Sequence, residues 1–411
     1  MVHNLKILLV VSNFIPESSS AAHIYFDLAK AFIKKGHEVD IITSYPRKYN
    51  LDEKEINKKF PDEDIIEGIT VHRCKHPATR DIIFLRGTEH FLLPLYYFKK
   101  YQKIGKKFDV CLMFIPPLPF FYLARKIKNF DGTRSVLNFQ DFHPQELIEG
   151  GILKNKLIIL ILEYIEKKSY KNADYITVLS KGGINYVISK GGNPTKIEHI
   201  YNGFDLANME DISQKIDFKK KEGIQDKILV SYAGILSPFQ GIDNILNVAK
   251  KLIKYDDFIF YIIGDGMNKN HIENRVKKEN LSNVRLLPFQ PRDEYLNIIT
   301  SSDISLVSLD IRMKAPCIPG KIMSLLATGQ PIIGIVPTDS ETANVIRKAK
   351  CGIVIEPGNV DEFVEAILKL GKEPKIGEEI GYNGRLFFEE NMNLDKIVKM
   401  YEKIFENLIN N

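Results

Sequence analysis

A lysine at the start of a short helical stretch is the first feature of the sequence that could do chemistry. Residues 316–333 read PCIPGKIMSLLATGQPII, where Pro319 and Gly320 stop the preceding segment and Lys321 opens a run of good helix formers. The N–H groups and the dipole at a helix start attract an anion, and a lysine adds a full charge. The stretch therefore indicates an anion site, although an ordinary capped helix with a solvated lysine has the same pattern.

Three titratable side chains follow a strand-like run at residues 135–139. They are Asp141, His143 and Glu146, in the loop QDFHPQE. Such groups can orient a substrate hydroxyl or take its proton, and Asp141 could alternatively serve as a helix N-cap with solvated neighbours. We favour a functional loop.

Other candidate positions also lie where predicted strands end. The turn at residues 13–22 contains Ser18, Ser19 and Ser20, which could donate to a phosphate or form a plain polar turn. No GxGxxG motif is present, so the sequence does not indicate a dinucleotide-binding domain. Later in the chain, GILSPFQG at residues 234–241 and the Gly-Asp-Gly turn at residues 264–266 offer close backbone approach. Glu341 could accept from ribose hydroxyls or could simply begin a helix.

The elements that must position these residues alternate between strand and helix. Buried apolar runs are predicted as strands at residues 6–12, 38–43, 69–74, 110–114, 135–139 and 175–179, and a second series follows at residues 228–233, 258–263, 284–287, 304–308, 332–336 and 352–355. Two such series predict an α/β fold with two doubly wound parallel sheets. In such folds ligands bind at the carboxyl ends of the strands, and the cleft between two domains is the expected site.

Composition and charge narrow the class of protein. The 411 residues are 44% hydrophobic and 27% charged, which is typical of a soluble globular protein of two or three domains. The net charge of +5 is too modest to indicate a nucleic-acid partner. The four cysteines show neither zinc spacing nor a CxxC pair, so we expect reduced thiols. With no signal-peptide pattern at its beginning, the chain is expected to be cytoplasmic.

Six short motifs in register resemble the retaining glycosyltransferases of family 4, which have the GT-B fold. The resemblance extends over essentially the whole chain and is carried by GHEVDIITS at 36–44, ADYITVLS at 173–180, NGFD at 202–205, YAGILSPFQG at 232–241, IIGDG at 262–266 and PGK…ATGQP at 319–331. The QDFHPQE loop and the PxK motif also resemble a branch that adds fucosamine-like or other aminosugars to surface polysaccharides. The resemblance implies two Rossmann-like domains facing a cleft. We expect an acceptor domain at residues 1–205, a nucleotide-sugar domain at 206–385, and a last helix, 386–411, packed back on the first domain.

The resemblance also implies roles for individual residues. Lys321 would neutralise the donor diphosphate, and Asp141 would lie near the acceptor or the transferred sugar, with His143 and Glu146 on the acceptor side. The remaining implied donor-binding residues are Ser19, Ser20, Gly234, Phe289, Gln290, Gly320, Ile322, Ser324 and Glu341. Neither a metal ion nor a cofactor is expected.

Charged residues of the family pattern are missing at four positions of this chain. Ile235 and Gln240 stand where the family has an arginine and a lysine, so Lys321 would be the chief cation. Pro316 and Ser324 stand where the family has paired glutamates. Ser324 thus replaces the glutamate expected on the ribose, and Glu341 could compensate.

Together with the resemblance, these observations predict transfer of a sugar from a UDP-sugar or similar nucleotide donor to a lipid-linked or saccharide hydroxyl, without a metal ion. The resemblance implies that the anomeric configuration of the sugar is retained. A UDP-sugar 2-epimerase of the same fold and a catalytically decayed nucleotide-sugar-binding subunit are the alternatives. A basic, aromatic segment at residues 91–107 could lie on the inner membrane surface, or could form a core helix with a solvated basic tail.

Overall fold

The structure is a computed structural model, and it describes residues 4–17, 19–47, 51, 55–77, 88–203 and 217–410. The chain divides into two compact units. The first consists of Met1–Pro144, Asn155–Gly203 and Leu394–Asn411, and the second consists of Gln145–Lys154 and Phe204–Asn393. Most of the polar stretch at 207–221, which the sequence suggests as a linker, lies outside the described residues.

The first unit is built on an eight-stranded sheet with the order β3-β4-β2-β1-β5-β6-β7-β8. Its strands are β1 Lys6–Val10, β2 Glu38–Ser44, β3 Glu63–Ile66, β4 Ile69–Cys74, β5 Val110–Ile115, β6 Arg134–Phe139, β7 Tyr175–Val178 and β8 Ile197–His199. All pairs are parallel except β3 with β4, which is antiparallel at the edge. The central strands are buried almost throughout because helices cover both faces of a parallel sheet.

Six helices belong to this unit, within the residues that the structure describes. They are α1 Ser20–Lys34, α2 Thr88–Ile104, α3 Phe120–Asp131, α5 Lys156–Asn172, α6 Lys181–Ser189 and α15 Leu394–Asn410. The last of these begins at Leu394, within the predicted terminal segment 386–411. It buries an apolar stripe in the first unit, with the Phe405 ring 5.7 Å from that of Phe32 and Glu402 Oε1 2.9 Å from His37 Nε2.

The second unit contains a six-stranded, all-parallel sheet with the order β11-β10-β9-β12-β13-β14. Its strands are β9 Ile228–Ala233, β10 Phe258–Ile263, β11 Val284–Leu287, β12 Ile304–Ser308, β13 Ile332–Ile335 and β14 Gly352–Ile355. Its helices are α4 Gln145–Glu149, α7 Phe218–Glu222, α8 Asp243–Leu252, α9 Lys269–Lys278, α10 Arg292–Ser301, α11 Lys321–Thr328, α12 Glu341–Ala349, α13 Val360–Lys372 and α14 Pro374–Asn391. The predicted α/β class with two Rossmann-like sheets is confirmed.

Helix α2 bears on the membrane contact suggested for residues 91–107. In α2, which contains most of the basic, aromatic segment, Leu93, Tyr97 and Tyr101 are buried at every fourth position, so one face of this helix belongs to the core. No helix in the described ranges is both long and apolar enough to cross a membrane.

Candidate active site

Lys321 is the first residue of α11, and its ammonium group contacts Tyr232 at the end of β9 and Gln240 in the loop that follows. Its Nζ lies 3.6 Å from the centroid of the Tyr232 ring and donates to Gln240 Oε1 at 3.3 Å. A Cβ added to Gly234 would lie 2.9 Å from this Nζ, so a glycine is needed there for the lysine to occupy its position. The structure therefore brings together Gly234 and Lys321, two of the residues predicted to meet the donor.

Within the described residues, no carboxylate balances the charge of Lys321. Among the described residues, no acidic oxygen forms an ion pair with its Nζ, and the face of Tyr232 supplies only a cation–π contact. Burial disfavours the charged form and lowers the pKa of Lys321 to about 7. An anion placed beside this group would raise the pKa of Lys321 again and would meet a positive charge that has no carboxylate partner among the described residues.

Gln240 has a defined role in holding this lysine. Its Oε1 accepts from both Lys321 Nζ and the Tyr232 hydroxyl, the latter at 2.9 Å, and the same hydroxyl also lies 3.2 Å from the Ile235 carbonyl oxygen. The residue that replaces a family lysine thus orients the lysine that remains. Tyr232 was not among the site residues predicted from the sequence, although its place two residues before Gly234 indicated that it could line the site.

Ser324 lies one turn along α11 and is buried. It donates to the Lys321 carbonyl oxygen at 2.9 Å, and its hydroxyl lies 2.5 Å from that of Tyr295 on α10. Burial raises the pKa of Tyr295 to about 12. The smaller side chain that replaces the expected glutamate is therefore part of a polar contact between two helices, and its contact with a ribose remains a prediction.

Four other predicted donor-side residues lie at two places in the second unit. Ile322, two residues after Gly320, is buried, and its N–H donates to the Pro319 carbonyl oxygen at 3.0 Å. Phe289, with 47% of its surface exposed, and Gln290 follow the edge strand β11.

Glu341 is the first residue of α12. Ser340 caps this helix by accepting from the Ala343 N–H at 3.2 Å, and Glu341 Oε1 accepts from Asn344 Nδ2 at 3.0 Å. The helix-start alternative is what the structure shows, and a ribose contact by Glu341 remains a prediction.

In the first unit, Asp141 and His143 lie together in the loop after β6. A carboxylate oxygen of Asp141 and a ring nitrogen of His143 lie within 4.8 Å of each other. Burial raises the pKa of Asp141, with His143 opposing that shift, and burial lowers the pKa of His143. The two groups could supply two ligands to a metal ion, and the expectation of no metal stays a prediction. Glu146 is buried in α4, which belongs to the second unit.

A buried amide network that the sequence did not reveal supports this loop. Gln140 and Asn202 exchange two hydrogen bonds, at 2.9 and 2.6 Å, and Gln140 Nε2 also donates to Asn138 Oδ1 at 2.5 Å. Asn138 in turn donates to Thr177 Oγ1 at 2.9 Å and to the Tyr401 hydroxyl at 3.2 Å. Since every amide has partners, the strand end that carries Asp141 is fixed in orientation.

The predicted serine turn precedes α1. Ser19 is the N-cap of this helix and accepts from the Ala22 N–H at 3.2 Å, which leaves its own O–H as a donor. Ser20 is exposed as the first helical residue, whereas Ser18 lies outside the described residues. The turn has the geometry of an ordinary N-cap, and a contact of Ser19 or Ser20 with a diphosphate remains a prediction.

A second polar cluster, also missed from the sequence, lies at the carboxyl ends of β1 and β2. Glu17 Oε1 accepts from Asn13 Nδ2 at 3.0 Å and from the Arg47 N–H at 3.3 Å, and the guanidinium of Arg47 forms an ion pair with Glu89 at the start of α2. Arg47 therefore lies close to two acidic side chains. The residues are far apart in sequence, so no local pattern indicated that they would meet.

Two family models match consecutive parts of the chain. The model described as "Glycosyltransferase Family 4" matches residues 21–208, and the model described as "Glycosyl transferases group 1" matches residues 213–387. These ranges correspond to most of the first unit and most of the second unit, respectively.

Relatives extend these matches. The chain is 27% identical over 260 residues to "Uncharacterized glycosyltransferase MJ1069" of Methanocaldococcus jannaschii, a match that covers 62% of this chain and 64% of that protein. It is 23% identical over 406 residues to "Putative colanic acid biosynthesis glycosyl transferase WcaI" of Escherichia coli K12, covering 94% of this chain and 98% of the relative.

A solved structure shows the same fold. The crystal structure of Anabaena Alr3699/HepE in complex with UDP superimposes with a TM-score of 0.71 at 13% identity, covering 98% of this chain and 100% of that one. The branch suggested by the QDFHPQE loop is not among these findings and remains a prediction. With matches to both family models and a shared architecture, the chain is a glycosyltransferase of the GT-B fold and belongs to family 4.

Proposed function

We propose that this enzyme transfers a sugar from a nucleotide diphosphate sugar, specifically a UDP-sugar, to a hydroxyl of a saccharide or lipid-linked acceptor. The observation that carries the proposal is the position of Lys321. Lys321 is the first residue of a helix, and its ammonium group lies beside Gly234. No carboxylate in the described part of the chain forms an ion pair with it. A diphosphate fits such a place because its two negative charges would meet a fixed cation and a helix N-terminus.

The same arrangement supplies the rate enhancement. During transfer the bond between the anomeric carbon and the phosphate oxygen breaks, and negative charge grows on the departing diphosphate. Lys321 is protonated once the donor is bound, because the diphosphate raises its lowered pKa, and it stabilises that growing charge directly. No divalent ion is required in this scheme, so activity should survive chelation.

Retention of configuration fits a front-face reaction. The acceptor hydroxyl attacks the anomeric carbon from the side of the leaving group, and its proton passes to the departing phosphate oxygen. Asp141 is proposed to orient the acceptor or the transferred sugar, with His143 beside it. The amide network beneath this loop would keep both side chains in place.

The comparisons support the proposal in general terms. The Escherichia coli relative is named for colanic acid biosynthesis, and the Anabaena structure contains UDP. The aminosugar branch suggested by the QDFHPQE loop is kept as part of the proposal.

A screen followed by an assay tests the proposal. A thermal-shift screen of nucleotide sugars identifies the donor, since a bound ligand raises the melting temperature. Transfer to a saccharide acceptor is then measured for the wild type, for Lys321→Met, and for the control Lys250→Met, an exposed lysine on α8. We expect turnover to fall by about a hundredfold or more in Lys321→Met and to be unchanged in the control.

Three results would contradict this assignment. Wild-type rates in Lys321→Met would exclude its role at the diphosphate. Interconversion of UDP-sugars without an acceptor would identify an epimerase. Donor binding without transfer or hydrolysis, with any acceptor offered, would identify a nucleotide-sugar-binding subunit.

A further inference from the structure

Helix α5 exposes an unusual amount of apolar surface on its first two and a half turns. Leu157, Leu160 and Tyr164 are 67%, 63% and 61% exposed, and Ile158 and Ile161 are also exposed. Residues 157, 160, 161 and 164 follow the spacing that places side chains on one face of a helix. A contiguous apolar patch of this kind usually marks a surface that something else covers.

The opposite side of α5 explains why the helix is held in this position. Ile165, Glu166, Ser169 and Tyr170 are buried, and the Tyr170 ring lies 4.9 Å from that of Phe139. Glu166 Oε2 accepts from Lys190 Nζ at 2.6 Å, and its Oε1 accepts from the Tyr170 and Tyr186 hydroxyls. The core therefore anchors the second half of the helix, while the apolar first half is left uncovered.

The charges around the patch indicate what covers it. Four lysines of α5 lie before and after the patch along the helix, and none of them forms an ion pair within the described residues; they are Lys156, Lys167, Lys168 and Lys171. Lys168 continues the apolar stripe and lies over the Tyr164 ring, 5.2 Å from its centroid. The acidic residues of this helix are Glu163, which is half-buried, and Glu166, which is neutralised by Lys190.

We propose that the exposed face of α5 is a membrane-docking surface that inserts its apolar residues into the headgroup region of an anionic bilayer. Apolar side chains on one face with lysines at the rim match an interfacial helix, and tyrosine is favoured at that depth. Contact with a second copy fits less well. A symmetric interface would place one lysine-rich rim against another, and like charges repel. The inference deepens the proposed function, because docking would bring the enzyme to lipid-linked acceptors.

The absence of tryptophan from the chain allows a direct test. Tyr164→Trp introduces one emitter into the patch, and Ile65→Trp introduces one at a control position on β3 that is 73% exposed. Each protein is mixed with vesicles of phosphatidylglycerol and phosphatidylcholine in equal parts, and with vesicles of phosphatidylcholine alone. We expect a blue shift, and quenching by brominated lipid, only for Tyr164→Trp with the anionic vesicles.

Co-sedimentation with the same vesicles tests the apolar residues and the lysines of the surface separately. Leu160→Ser with Ile161→Ser should abolish binding at low salt, and Lys168→Gln or Lys171→Gln should each weaken it about fivefold. The Ile65→Ser protein is the matched control. Leu160, Ile161 and Lys171 are exposed, so unchanged melting temperatures should accompany the loss in these variants.

The alternatives give different results. Failure of the wild type to bind anionic vesicles, or equal binding to both kinds of vesicle, would overturn the proposal. So would a blue shift that needs no vesicles and grows with protein concentration, which would identify a protein interface. Vesicle binding is measured without turnover. The docking surface can therefore be confirmed even if the proposed transferase activity is absent, and the transferase activity can be confirmed even if the protein does not bind vesicles.

Discussion

Binding of the donor should depend on pH through Lys321, and this follows from the surroundings of its ammonium group. In the free enzyme, burial against Tyr232 and Gly234 lowers the pKa of Lys321 to about 7. A diphosphate favours the charged form of a nearby lysine, so donor binding should take up a proton. The test compares the wild type with Lys321→Met.

The size of the effect follows from the fraction of free enzyme that is already protonated. With a pKa of about 7, that fraction is about nine-tenths at pH 6, about half at pH 7 and about one-tenth at pH 8. If the protonated form binds the diphosphate, the Kd of the wild type should rise about tenfold from pH 6 to pH 8. In Lys321→Met the Kd should be higher throughout and independent of pH.

Titration calorimetry with an intact nucleotide sugar measures both quantities. The nucleotide sugar is preferred to the free diphosphate because its phosphates do not titrate in this range. Repeating the measurement in buffers of different ionisation enthalpy gives the number of protons taken up, which should be about one-half at pH 7 in the wild type and about zero in Lys321→Met.

Stability without donor gives an independent check. Between about pH 7 and pH 10.5 the unfolded chain binds a proton that the native lysine has lost. The free energy of unfolding of the wild type should therefore rise with pH in this window, relative to that of Lys321→Met. A wild-type Kd that does not change from pH 6 to pH 8, or an equal slope in both proteins, would refute the reasoning.

Three further predictions concern particular contacts. Gly264→Ala should lower the free energy of unfolding by about 1–3 kcal/mol in urea titrations, because a Cβ there would lie 1.9 Å from the Gly234 carbonyl oxygen; unchanged stability would show that the turn can open. Ser324→Ala should cost about 1–3 kcal/mol by leaving the Tyr295 hydroxyl without its partner. Adding Tyr295→Phe should recover much of that loss, and strict additivity of the two changes would contradict the coupling. Asp141→Asn should reduce the rate of transfer. Because burial raises the pKa of Asp141, the wild-type pH–rate profile should have an acid limb above the usual carboxylate range, and the substitution should remove it. If that limb persists in the variant, it belongs to another group.

Much of the architecture could be predicted because buried parallel strands have a simple signature. The aliphatic runs of β1, β9 and β10 need to be apolar on both faces, and the helix start at Lys321 is marked by Pro319 and Gly320. Local patterns of this kind depend on residues a few positions apart. They also located the strand ends where the candidate site residues lie.

Contacts between distant residues could not be predicted in the same way. Helix α14 was missed because Gly377, Gly381 and Gly384 look like helix breakers, yet two of them permit close packing. A Cβ on Gly381 would lie 1.9 Å from the Gly329 carbonyl oxygen, and one on Gly384 would lie 2.9 Å from Cys351 Cβ. The contact of Ser324 with Tyr295 joins two helices across 29 positions, so no spacing rule reveals it.

The position of α15 has a consequence for the order in which the protein forms during synthesis. The helix supplies Tyr401 and Phe405 to the core of the first unit, beside Phe32, although it follows the entire second unit in the chain. The ribosome must therefore synthesise the whole second unit before the core of the first unit can be completed. Until then the aromatic surface around Phe32 is open to chaperones, and a nonsense codon anywhere before Leu394 should yield a product that is cleared rather than a half-active enzyme.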